Sequence, residues 1–74
     1  MSPALSQLSG KQVVAALEQA GFEHVSTKGS HAKLCHPDGQ RTIVPLHRTM
    51  ARGTLTSIML QTGLTAADFQ KLLK

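Results

Sequence analysis

Lys28-Gly29-Ser30-His31 sets an ammonium, a glycine turn, a hydroxyl and an imidazole in one unbroken stretch. Histidine is the side chain whose ordinary pKa, about 6.5, lets it take and give protons near neutral pH. Donors gathered with one proton-transfer group around an anion suit phosphodiester chemistry. Cleaving RNA takes a base to draw the 2′-hydroxyl proton, an acid for the leaving oxygen, and donors for the developing negative charge. The same stretch also fits an ordinary surface turn, and spacing alone leaves both readings open.

Other chemistries fit less well. The chain has four histidines and a single cysteine, Cys35. His31 and Cys35 are four apart, a helical ligand spacing, but Gly29 and Pro37 bracket them and the stretch reads as a strand. At about 3.3 Å per residue they stand about 13 Å apart, too far to share a zinc ion. Neither a metal nor another cofactor is expected. Cys35 has no histidine placed beside it by local spacing to lower its pKa, so it reads as a small, half-buried filler rather than a nucleophile. One cysteine also excludes an intramolecular disulfide framework, which points to the cytoplasm. No signal-peptide pattern or membrane-length apolar run is visible, so a soluble cytoplasmic chain with no membrane partner is expected.

Seventy-four residues make one domain. Residues 1–8 show no period and read as a loose lead-in, and residues 9–74 as the domain. Ser9-Gly10-Lys11-Gln12 is a capping box, followed by Val13, Val14, Leu17 and Ala20 at helical spacing, with Gly21 as the stop. Phe22 to Lys28, His31 to His36 and Arg41 to Pro45 read as three short strands, separated by Lys28-Gly29-Ser30 and Pro37-Asp38-Gly39-Gln40. In the first strand Glu23, Val25 and Thr27 alternate against Phe22, His24 and Ser26, a half-amphipathic pattern. Thr49 to Gln61 returns to helical spacing and closes at Thr62-Gly63, and Thr65-Ala66-Ala67-Asp68 caps a short last helix carrying Phe69, Leu72 and Leu73. The expected fold is α+β, an α-β-β-β-α order in which a three-stranded antiparallel sheet lays one face on two helices and leaves the other open. Strand alternation then turns His31, Lys33 and Cys35 to the open face and Ala32 and Leu34 to the helices.

The formal net charge is +4 with neutral histidines, and the middle of the chain carries the surplus. Lys28, Lys33, Arg41, Arg48 and Arg52 face only Asp38 there, and all four histidines fall in the same span. A field concentrated in this way attracts polyanions. Lys28 and Lys33 are candidate phosphate contacts. So are Arg48 and Arg52, which flank the start of the second long helix, where backbone amides also attract anions.

Several motifs recur together in one order: Ser9-Gly10-Lys11 opening a helix, Gly21-Phe22, Lys28-Gly29-Ser30-His31, His36-Pro37-Asp38-Gly39, Val44-Pro45-Leu46-His47, and Gly53-Thr54-Leu55 through Ser57-Ile58 to Gln61-Thr62-Gly63-Leu64. Over about residues 9–69 this arrangement resembles the HicA (YcfA-like) toxin family of HicAB toxin-antitoxin systems. The resemblance implies a double-stranded-RNA-binding-like fold. It also implies a metal-independent mRNA interferase, an endoribonuclease that acts on mRNA and is held inactive by a HicB-type antitoxin. His31 matches the family's catalytic histidine, and Gly29 and Ser30 match the turn that presents it. His47 matches a histidine that often follows the family's valine-proline, a match that carries no catalytic role with it, and stands as a candidate second proton-transfer group or RNA contact. The chain departs from relatives that often carry basic residues near Ser26 and around Thr56 and Leu60, all uncharged here, which bears on RNA affinity and substrate choice. A non-catalytic double-stranded-RNA-binding module is the alternative reading, since such modules recognise shape through phosphate and 2′-hydroxyl contacts and need no histidine at a turn.

Overall fold

In the computed structural model, which describes residues 8–73, the elements run α1 (Gly10–Gln19), β1 (Glu23–Lys28), β2 (His31–Cys35), β3 (Arg41–Pro45), α2 (Arg52–Thr62) and α3 (Ala66–Leu72). The α1 cap forms as the sequence demands. The Ser9 hydroxyl accepts the Gln12 amide at 3.2 Å, and the Gln12 side chain accepts the Ser9 amide at 2.9 Å. Val13, Val14, Ala16 and Leu17 form the buried stripe of this helix, and burying each of the larger side chains contributes about 1.5–3 kcal/mol. Gly21, at φ +99°, takes the positive-φ position just beyond the helix end.

The sheet is an antiparallel meander in the order β1-β2-β3. Helix α1 touches all three strands, α2 lies along β3, and α3 packs on α1. Ala32 and Leu34 of β2 and Thr42 and Val44 of β3 turn inward onto these helices, joined in the core by Leu55, Ile58 and Phe69. His31, Lys33, Arg41 and Ile43 occupy the alternate, outward positions. This is the α+β arrangement with one open sheet face that the strand pattern anticipates.

Three local readings need correction. The expected alternation in β1 is absent, and all six of its residues are exposed. The strand sits at the sheet edge, and the register shifts between His24 and Ser26, so Val25 is an extra residue in the ladder and the side-chain parity breaks there. Helix α2 starts at Arg52 rather than Thr49. Met50 is instead a buried plug, and its amide donates to the Leu8 carbonyl at 2.6 Å, which ties this segment to the chain before α1. Leu8, grouped with the lead-in by its sequence context, is 2% exposed and belongs to the core; residues 1–7 of that segment lie outside the described residues.

Candidate active site

Strands β1 and β2 are joined by a two-residue turn, Gly29-Ser30, across which Lys28 pairs directly with His31. Gly29 has φ +60° while Ser30, like every described non-glycine residue, has a negative φ. That combination is a type II′ turn, whose twist matches the flanking strands and whose first central position favours glycine. The Ser30 carbonyl accepts the Leu46 amide at 2.6 Å, so the turn is tied to the chain leaving β3. His31 lies opposite Pro45 in the register. Its ring is exposed and makes no side-chain hydrogen bond among the described residues. An imidazole on a fixed backbone with both ring nitrogens available can accept a proton from one substrate atom and give one to another.

His47 reaches the same end of the sheet from the other direction. It follows Leu46, as His31 follows Ser30, so the Leu46–Ser30 bond joins the immediate neighbours of the two histidines. The His47 carbonyl accepts the Gly10 amide at 2.9 Å, which fixes its backbone against the start of α1 and leaves its exposed side chain without a hydrogen bond among the described residues. Gly10 makes this approach possible. A Cβ there would collide with the Pro45 carbonyl oxygen and stand 2.7 Å from the Leu46 Cα. The Ser9, Gly10 and Gln12 amides at the start of α1 are thus engaged by the capping box and by His47.

Of the sequence-derived candidates, Lys28, Gly29, Ser30, His31 and His47 converge at this end. Lys33, half-buried, extends the same face two residues along β2. Arg48 is exposed in the loop after β3, and Arg52 is the first residue of α2, whose Ala51 N-cap offers no side-chain hydrogen bond. The start of α2 therefore lacks a side-chain cap, with Arg52 as its first residue and Arg48 four residues earlier in the chain.

The other two histidines are engaged elsewhere. His24 Nε2 shares a 2.6 Å hydrogen bond with the Thr27 hydroxyl, and His36 is held in the β2–β3 hairpin by the Asp38 amide. Cys35 is half-buried at the far end of β2, opposite Arg41. Among the described residues no three His, Cys, Asp or Glu side chains converge as metal ligands, and no helix is long and apolar enough to cross a membrane. The structure adds Gly10 to the residues that shape the site. A glycine directly after an N-cap, where stronger helix formers were available, is the signal that could have revealed it.

A family model described as "HicA toxin of bacterial toxin-antitoxin" matches residues 10–64. No curated protein matches the chain.

Proposed function

The chain belongs to the HicA toxin family, and from that premise we propose that it is a metal-independent endoribonuclease acting on mRNA in the cytoplasm, with His31 as its general acid or base. The 2′-hydroxyl oxygen of the substrate attacks the adjacent phosphorus as its proton leaves to a base, and the P–O5′ bond breaks as that oxygen takes up a proton. The products carry a 5′-hydroxyl and a 2′,3′-cyclic phosphate, which water opens to a 3′-phosphate. RNA brings its own nucleophile, so the protein need supply only alignment, proton transfer and charge stabilisation. Lys28 and the Gly29-Ser30 turn would supply donors to the phosphate beside His31. Lys33, His47, Arg48 and Arg52 would hold neighbouring phosphates, and a HicB-type antitoxin would silence the toxin by covering this end.

The observation that carries the reading is the placement of His31: exposed, on a rigid turn, and without an intramolecular partner among the described residues. The test is incubation of end-labelled RNA with the purified protein. Cutting should persist in a chelator and leave 5′-hydroxyl ends. A 5′-phosphate product, or cutting by His31→Ala at the wild-type rate, would remove His31 from its role. RNA that is bound but never cut would identify a non-catalytic binding module.

A further inference from the structure

Along the edge strand β3, on the hairpin side of the His31–Pro45 pair, a crevice of about 210 Å³ opens between the sheet and α2. Lys33, Arg41 and Ile43 line it from the strands, and Thr54, Ser57 and Gln61 from the helix, with Thr42 and Ile58 at its base. Drug-sized ligands occupy pockets of about 300 Å³ or more, so this space suits a single flat ring system. Both charged side chains on its wall are cationic. Ile43 is 48% exposed although it is a β-branched apolar residue in mid-strand, which leaves an apolar surface for a ring to cover.

Several polar groups of the crevice keep hydrogen-bonding capacity unused among the described residues. Hydroxyls on a helix commonly bond back to a carbonyl of the preceding turn, and in α2 the hydroxyls of Thr56 and Thr62 do so, to Arg52 and Ile58. Thr54 and Ser57, which face the crevice, make no such bond among the described residues. The Thr42 hydroxyl donates to Gln61 Oε1 at 2.6 Å. That bond holds the amide with its NH₂ group free for an outside acceptor, because the amide offers its acceptor and donors on different atoms.

We propose that this crevice is a nucleobase subsite, taking one unstacked base of a single-stranded RNA next to the scissile linkage. The inference builds on the ribonuclease reading above. Single-stranded RNA is recognised through splayed bases that stack on side-chain planes, arginine guanidinium among them, and hydrogen-bond along their edges. Ile43 and Arg41 supply the faces. Gln61 supplies donors for a base carbonyl or ring nitrogen, and Thr54 and Ser57 supply groups that either donate or accept. Lys33 sits in the crevice wall and also lies on the His31 face, two residues away or about 7 Å along the strand. It can therefore hold the phosphate that connects the base to the reacting linkage.

The test is binding of a mixed-sequence 2′-O-methyl RNA, which has no 2′-hydroxyl to react, followed by amide NMR shifts and affinity. Shifts at Ile43, Thr54, Ser57 and the Gln61 side-chain amide are expected, and they should vanish with an abasic oligomer of equal length. Ser57→Leu, a filling change at an exposed helix position, and Arg41→Gln should each weaken binding about tenfold, the scale of a lost hydrogen bond or stacked face. The subsite is overturned if the abasic oligomer gives the same shifts, if both variants bind like wild type, or if only an acidic peptide perturbs these resonances. Because the readout involves no cleavage, the two readings separate. Base binding without cutting of ordinary RNA removes the catalytic role alone, and cutting with a silent crevice removes the subsite alone.

Discussion

Strand β2 opens on one histidine and is followed directly by another, and their surroundings are opposite. At the hairpin end, His36 Nδ1 accepts the Asp38 amide at 3.1 Å. Its ring meets Phe22 edge-on with centroids 4.9 Å apart, and its Nε2 would stand 3.0 Å from a Cβ placed on Gly21. The backbone there is closed by His36 amide to Gln40 carbonyl at 2.8 Å and Gly39 amide to His36 carbonyl at 2.9 Å. At the turn end, the backbone of His31 is fixed just as firmly through Ser30 and Leu46, yet its ring is free among the described residues. The same residue type serves as a packing piece where its nitrogen and ring faces are occupied. It becomes available to a substrate where only its backbone is held. Rigid backbone with an uncommitted side chain is what proton transfer to a bound ligand requires.

The largest separation should come from exchanging the two histidines for alanine in turn. His31→Ala is expected to lose about 10² to 10⁴ in RNA cleavage while its unfolding free energy from urea titration stays within about 0.5 kcal/mol of wild type, as for most surface changes. His36→Ala should keep its rate per folded molecule, and the reverse pattern would invert the comparison. Next in size is the support beneath the His31 end. Gly10→Ala forces Pro45 and Leu46 away from α1 and should cost about 1–3 kcal/mol; an alanine protein that unfolds at the wild-type urea concentration would disprove the close approach. At the other end His36→Ala should cost about 0.5–1.5 kcal/mol through its lost contact with Phe22, read by the same titration.

A smaller effect tests the charge that distinguishes the ends. Lys28→Ala and Lys33→Ala should each reduce the slope of log affinity against log salt by about 0.7, the signature of one phosphate contact on a single strand. A slope unchanged in both would place RNA elsewhere. The smallest effect is a control away from both ends. Hydrogen bonds from the Thr65 backbone and side chain hold the Asp68 carboxyl below its ordinary 3.8. A lowered folded pKa stabilises above the unfolded value and is lost as pH falls through the folded one. Amide-exchange protection in the first turn of α3, taken relative to the intrinsic rate at each pH, should therefore fall as acid protonates Asp68. Asp68→Asn should abolish that pH dependence without touching cleavage at neutral pH.

Much of this comparison is legible in the chain itself. The alternation of Ala32 and Leu34 against His31 and Lys33 needs only the period of a strand, and the glycine at position 29 needs only the chemistry of a tight turn. The capping boxes at Ser9 and Thr65 follow from residues three apart. Where local period misled, a distant partner had intervened. Met50 fits a helical stripe but bonds to Leu8, and the β1 pattern fails at Val25 because pairing with β2 skips a residue there. The crevice left no trace in the period, because its walls come from strands and a helix far apart along the chain.

By itself the sequence determined the order of elements, the outward direction of His31, the basic middle and the turn, since each depends on neighbours along the backbone and on side-chain direction within one element. Only the tertiary structure decided which histidines are free and which are held. It also brought His47 to the His31 end through Ser30 and Leu46, made Gly10 indispensable to that approach, and set Gln61 and Ser57 across from Lys33 and Arg41. The physical reason is that a residue's local period dictates which way it points, whereas what it meets there depends on elements that pack together only when the core closes.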